Sequence, residues 1–576
     1  MDQQPQGLSS LCLKALTNHT REQQFAGFSF SPFGDKENPI EQAKASGDNR
    51  PLVRKTIPIT ACCRTVVRGI VCLSLWYHAA SLQAADSSAA TELAHGASIA
   101  KVACATCHVF PPPELLDQAA WGLEILPKMH QLMGFESIHY DRLPGGKLVQ
   151  AQRPYPETPL IGEDDWMAVV RYYLANAPSR LPIPERATPA TRTDFQSATS
   201  SVFKDAEAVI TAVKIDPAEK LLYIADAQAK ALFVLDAQGK QLAATGLEKP
   251  AVHLNPTANG IYITMIGRLY PSDEPEGEIL FIGKPGAAGA RTRVLLDKLH
   301  RPVHTVVTDI NEDGREDLVV CSYGNILGRY SWFENLGGDK YEEHVLIDRP
   351  GAIASEAVDL DGDGRRDLVV LMAQAWEGIY WLRNTGKGFE TVPLVQWPPS
   401  WGSTSFQLVD FNGDSRLDLL VSNGDNGDFG KVPAPMKPYH GVRVYLNDGK
   451  QQFTEKFFYP LNGAYKAMAG EFLQKGRLDI AAISFFPDFE HSPWESLVYL
   501  ENKGAIQWQA ATLPESRWGR WFVMDAGDLD GNGQPELVAG SFLKGPGRVL
   551  KADLEQWRAH QAPVRWWSHK ASKEVK

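Results

Sequence analysis

The sequence predicts a multidomain chain, a small all-α domain followed by an all-β propeller expected to be seven-bladed. Three observations carry this. Apolar residues between about 88 and 185 recur at helical spacing. From about residue 201 the pattern changes to short strands with period-2 alternation, as in Leu221-Leu222-Tyr223-Ile224 and Gly260-Ile261-Tyr262-Ile263. An Asp-rich turn then recurs at intervals of roughly 50–60 residues, close to the length of a four-stranded blade with insertions.

Taken in order, residues 1–52 are polar, with scattered Gln, Ser, Asn and Pro and no sustained periodicity, so they are expected to be disordered or to precede the true start of translation near Val53. Residues 53–85 are expected to be a signal peptide region. Arg64 and Arg68 flank a short apolar run, Gly69 to Tyr77, and small residues follow up to Ala84-Ala85. That run is shorter than the ~20 apolar residues a membrane-spanning helix needs, so no integral membrane span is expected. The location implied is periplasmic or extracellular.

Within 88–185 the segment Cys104-Ala105-Thr106-Cys107-His108 carries specific chemistry. Two thiols at this spacing add to the vinyl groups of haem, and the adjacent imidazole is thereby placed under the iron. A thioredoxin-type redox pair would need a helix to follow, and Pro111-Pro112-Pro113 prevents one. A zinc site would need a second ligand pair, which this stretch lacks. One covalent haem c is therefore expected, with Cys104, Cys107 and His108 as its attachment and proximal ligands. The sixth ligand is open among Met129, His130, Met133, His139 and Met167. The Pro-rich turn, Trp121 and Leu126-Pro127-Lys128-Met129 resemble a family of exported c-type cytochromes, and that resemblance implies Met129 first and Met133 second. Glu163-Asp164-Asp165 before Trp166, Val169, Val170 and Tyr173 predicts a closing helix that ends at Ala177-Pro178.

Residues 178–200 are rich in Pro, Ser, Thr and Ala, and 186–200 are expected to be a linker. The propeller is placed at 201–550 and a solvated, mildly basic tail at 551–576. Four turns share one pattern: Asp309, Asn311, Asp313 and Asp317; Asp359, Asp361, Asp363 and Asp367; Asp410, Asn412, Asp414 and Asp418; Asp528, Asp530, Asn532 and Glu536. Each is followed by an apolar strand. Oxygen donors at positions 1, 3, 5 and 9, with a sharp turn at 6, suit a hard cation such as calcium, giving up to four sites. Asp and Asn also make such turns unaided, through side-chain bonds to nearby amides. A fifth turn, Glu471 to Asp479, keeps the register but puts Leu473 and Lys475 at two ligand positions, so the turn can form without metal. These repeats resemble the FG-GAP/VCBS type found in integrin α-subunit propellers, clearly over about 300–540 and weakly over 200–300.

The net charge of -11 argues against nucleic acid as a partner, because phosphate binding needs basic surface. The expected partner is a redox protein, with a surface ligand at the propeller as a further possibility. Three functional readings stand at this point. The first is electron transfer with the propeller as docking platform. The second is a haem-coupled oxidoreductase with its substrate in the propeller channel. The third is a surface binding or adhesion protein with auxiliary haem. Cys321 is expected in the core, and His304 is read as a lone structural histidine. Trp397 to Trp401 and Arg517 to Trp521 are weighed as packing against ligand binding, with packing favoured.

Overall fold

The computed structural model describes residues 89–570 except 185, 204–206, 285–290, 428, 544, 548, 561 and 562. The expected disordered start and signal peptide region lie outside the described residues. So do the last residues, 571–576.

A helical unit comes first. A helix over 89–103 crosses the Glu163–Asn176 helix so closely that a Cβ on Gly96 would meet the Ala168 carbonyl oxygen at 2.2 Å. Glycine is required there for backbone contact. Ion pairs Arg171–Glu92 (2.7 Å) and His95–Asp165 (2.9 Å) flank the crossing. The long helix buries Trp166, Val169, Val170 and Tyr173 on one face, as its spacing predicts, and it ends before Pro178. Between these helices lie a π-helical turn Trp121–Ile125 and the short helices Leu126–Leu132 and Gly146–Gln152. No described helix is long and apolar enough to cross a membrane.

The remainder is a propeller of seven four-stranded antiparallel sheets. The inner strands, blades one to seven, are Ile210–Asp216, Ala251–Thr257, Pro302–Thr308, Ala352–Val358, Ser403–Val409, Ala464–Gly470 and Trp521–Gly527. The second strand is wholly buried in five of the seven blades, for example Leu368-Val369-Val370-Leu371 in blade four, because both of its faces are covered by neighbours. Cys321 is one of these residues and is fully buried.

The ring is closed by a strand from the wrong end of the chain. Blade seven is ordered Phe195–Thr199, Val564–His569, Glu536–Ser541, Trp521–Gly527. Two of the expected boundaries therefore move. Part of the stretch read as linker is the outer strand of blade seven. Part of the stretch read as a solvated tail forms the helix Lys551–His560 and the third strand, where Arg565, Trp566 and Trp567 are buried.

Inner strands leave one edge unpaired, and side chains from the preceding blade cover it. Asp525 Oδ2 accepts from Ile215 N (2.8 Å), Glu356 Oε1 from Leu408 N (3.1 Å) and Gln407 Oε1 from Ala469 N (2.8 Å). One step nearer the start of the strands, Ser405 Oγ accepts from Ala467 N (3.3 Å) and His253 Nδ1 from Thr305 N (3.4 Å). An unpaired amide at a sheet edge otherwise has only water to bond.

Candidate functional site

The helical unit sits on one face of the ring. In an antiparallel meander the first-to-second and third-to-fourth strand turns share one end, and the second-to-third loops occupy the other. The hydrogen bonds that tie the helical unit to the ring fall on second-to-third loops. Asp273 N donates to Pro144 O (2.9 Å), Tyr439 OH to Leu115 O (2.9 Å), and Glu124 Oε1 accepts from Gly430 N (3.1 Å), Val432 N (2.9 Å) and Lys431 N. The Asp-rich turns are first-to-second turns and lie on the opposite face.

Cys104 follows the 89–103 helix at once and packs against the apolar core of the helical unit, while Cys107 is exposed; neither forms a disulfide. Burial pushes the Cys104 thiol up and the His108 imidazole down. His108 Nδ1 donates to Val109 O (3.0 Å), which leaves Nε2 with a free lone pair. The Pro-rich segment that follows is pinned from both sides. Trp121 Nε1 donates to Pro113 O and Tyr173 OH to Pro111 O, each at 2.8 Å, and the two rings meet with centroids 4.4 Å apart. Met129 and Met133 belong to the same apolar cluster as Cys104, with Met133 buried at the end of its helix. His130 stacks on Phe135 at 4.5 Å, and Met167 packs against the same cluster.

A cavity of about 260 Å³ opens beside His108, lined also by Ala105, Phe110 and, from blade four, Trp376, Glu377 and Gln396. The residues present fit a haem c: two free thiols at the required spacing, an imidazole with one nitrogen fixed and the other available, and mostly apolar surroundings. Glu377 is the residue no sequence pattern announces. It is buried, accepts from Ser403 N and Ser403 Oγ (2.6 Å each), and burial holds its carboxyl up at about 8. It is 269 positions from His108, so only the three-dimensional fold brings the two to one cavity.

The Asp-rich turns form the second candidate site. In blade three Asp309 accepts from Asp313 N (3.1 Å) and Gly314 N (2.8 Å), and in blade four Asp359 accepts from Gly362 N (2.8 Å) and Gly364 N (2.9 Å). The sixth position is left-handed throughout, and Ser415 adopts φ 66° where the others have glycine. The ninth position does a different job. Asp317, Asp367 and Asp418 are fully buried, and each divides its oxygens between the turn and the third strand: Asp367 accepts from Leu360 N (3.1 Å) and Asn384 N (2.7 Å). Blade six, without the ligand pattern, keeps the first feature, and its ninth position turns both oxygens to the third strand, one of them accepting from Tyr499 OH (2.6 Å). Glu471 accepts from Gly476 N (2.9 Å) and Asp479 from Asn502 N (2.7 Å).

Carboxylate oxygens converge within 4.8 Å at two of the four turns, Asp359, Asp361 and Asp363 in blade four and Asp528, Asp530 and Glu536 in blade seven. In blades three and five Asn311 and Asn412 donate to Asp313 (3.3 Å) and Asp414 (2.8 Å), turning their amide nitrogens toward the site. Asp313, Asp363 and Asp414 each pair with the arginine two residues on, Arg315, Arg365 and Arg416.

The aromatic segments pack. Trp521 is fully buried and donates to Ser516 O (2.5 Å), and Trp397 and Trp401 stack at 6.1 Å. His304 is not alone: it lies ring to ring with His253 in the channel, centroids 4.0 Å apart.

A profile of the FG-GAP-like repeat matches residues 309–370 and 359–421, so blades three to five carry that repeat. A curated relative, the T-cell immunomodulatory protein homolog of Plasmodium falciparum (isolate 3D7), is 31% identical over 140 residues, 21% of this chain and 19% of the relative. The match thus spans about a fifth of the relative's length. Among solved structures, the Pan2 WD40 domain of Neurospora crassa (10% identity, TM-score 0.41, 66% of this chain and 98% of that one) and the N-terminal domain of Nup159 (11% identity, TM-score 0.37, 66% and 97%) are similar.

Proposed function

We propose that this chain is an exported haem c protein that transfers electrons, with the propeller holding the haem-bearing unit and presenting it to a redox partner. The observation that carries the reading is the Cys104–His108 segment at the exit of a helix, with His108 already hydrogen-bonded through Nδ1 and facing a cavity against blade four. Cys104 and Cys107 would hold the haem covalently and His108 would ligate it; Met129 and Met133 are the candidates for a second ligand. When bound, the group supplies a one-electron couple. The protein's own part is to fix the imidazole tautomer through Val109 O, to lock the Pro111–Pro113 turn through Trp121 and Tyr173, and to shield one edge with Trp376. Two calcium ions, at Asp359, Asp361, Asp363 and at Asp528, Asp530, Glu536, are part of the proposal and stiffen the far face.

The test is a visible spectrum of chain secreted from a host competent in haem c maturation. The expectation is a covalent haem that survives denaturation, lost in Cys104→Ser with Cys107→Ser. A purified chain with no haem absorbance under those conditions overturns the reading. A second reading, a haem-coupled oxidoreductase, is favoured by the space beside His108, which admits a small molecule. Carbon monoxide binding to the reduced protein would select it over pure electron transfer.

A further inference from the structure

The central channel is lined by two rings of side chains, one from the third residue of each inner strand and one from the fifth. The upper ring reads Ala212, His253, His304, Ala354, Ser405, Lys466 and Val523 around the seven blades. Three long nitrogen-bearing side chains therefore share a level with four small ones, which leaves room beside them.

At this level each inner strand turns one amide and one carbonyl toward the channel. The edge amides of Thr305 and Ala467 are covered by His253 and Ser405. The same register sets Val213 N, Leu254 N, Phe406 N and Met524 N opposite Val523, Ala212, Ala354 and Lys466, and none of these four side chains carries an acceptor. His304 Nδ1 is buried with no hydrogen-bond partner. A buried polar nitrogen left this way carries a free-energy cost, and an orphan in a native core calls for a ligand. We infer that the channel holds a small oxyanion, a carboxylate or a tetrahedral anion, between Lys466, His304 and the adjacent edge amides.

The charges facing this point from the seven blades are few. Lys466 comes from blade six, His253 and His304 from two and three. One ring further along, Lys214 of blade one pairs with Asp525 of blade seven at 3.2 Å, and Glu356 of blade four is bonded to Leu408 N. Blade five contributes only the neutral Ser405 and Gln407. Burial, Lys466 and Lys214 hold His304 down at about 3, and burial holds Lys466 below the usual lysine range. An anion between them reverses both effects. His304 then takes up a proton on Nδ1 and donates it to the ligand, while His253 keeps Nδ1 as acceptor for Thr305 N.

The inference does not depend on haem, and its test reads protons. The full chain is titrated at pH 6.5 with sodium sulfate, which carries no titratable proton there, by calorimetry in two buffers of different ionisation enthalpy. Saturable binding with uptake of about one proton per anion is expected from the linkage. A parallel titration with sodium succinate separates the classes, the tighter arm naming the ligand. Lys466→Met should weaken binding about tenfold or more. His304→Asn should abolish the proton uptake while leaving Ser405 and Lys466 in place. Binding of neither anion, or wild-type binding with no proton uptake, overturns the inference without any variant needing to fold. Unchanged proton uptake in a folded His304→Asn also overturns it.

Discussion

Blades four and six make the same turn with different residues, and the difference separates fold from ligand. Both put an acidic side chain at the first position, a left-handed glycine at the sixth and a buried aspartate at the ninth. Blade four adds Asp361 and Asp363; blade six has Leu473 and Lys475 there. The shared residues bond backbone amides and build the turn. The unshared ones add oxygen atoms that converge with those of first-position Asp359 on one point, the geometry a cation takes. In blade four the ninth-position aspartate is thus a latch alone, while the first-position aspartate both builds the turn and joins the converging carboxylates.

The sharpest way to break that distinction is to remove a latch. Asp367→Ala leaves Leu360 N and Asn384 N without their acceptor, so stability should fall by roughly 4 kcal/mol in chemical denaturation, taking about 1–3 kcal/mol for each buried donor. Asp359→Ala, at the exposed first position, should cost about 1 kcal/mol, the scale of a lost cap. Equal losses would mean that position does not divide the roles.

The next effect is on pH. Glu377 is held up at about 8 by burial, so in the folded chain it keeps a proton that the unfolded chain has lost. Its contribution is therefore fully present below about 4.5 and is lost as pH rises through 8, on the order of 3 kcal/mol. His304 has the opposite sign. Held down at about 3, it contributes above about 6.5 and loses that contribution as pH falls toward 3. Thermal melts across pH 4 to 9 should show both limbs, and Glu377→Gln should reduce only the alkaline one, which Glu495, also held up at about 8 by burial, shares.

A smaller effect should separate the two faces. Glu124→Ala removes an acceptor shared by three amides at residues 430–432, so the helical unit should loosen from the ring by about 2 kcal/mol. Amide exchange should rise at 430–432 and around Leu115 while blade four stays protected. The smallest effect concerns the cation itself. Chelation should lower the melting midpoint by about 2–4 °C, and Asp361→Asn combined with Asp530→Asn should abolish that shift. A midpoint indifferent to chelator removes calcium from the far face.

Much of this architecture is legible in the sequence because its signals are local. The Asp-rich turns announce blades three, four, five and seven directly, and Glu163-Asp164-Asp165 with Trp166, Val169, Val170 and Tyr173 marks one helix nearly to its last residue. The Cys104–His108 motif is equally local. What escaped depends on distant pairing. Phe195–Thr199 has too little apolar alternation to read as a strand, and its partner is Val564–His569, near the other end of the chain. The basic residues there suggested solvent, yet Arg565 is buried against Glu515 and Ser197. His253 and His304 are 51 positions apart and meet only because each occupies the third place of an inner strand in neighbouring blades. Glu377 reaches the His108 cavity for the same kind of reason.

The swapped strand in blade seven has a consequence for how the molecule comes into being. Phe195–Thr199 is made before any other strand of the ring and waits for a partner that is made after all the others. The first six blades can form in order as the chain emerges, each with four consecutive strands. The seventh is a clasp, and until it fastens the first and sixth blades each keep an apolar flank open. A chain ending before Val564 would therefore be an open arc rather than a smaller ring, marked for disposal by the surface it cannot cover. Synthesis of Val564–His569 and closure of the ring become one event, and the helical unit, which lies ahead of the clasp, is free to fold before it.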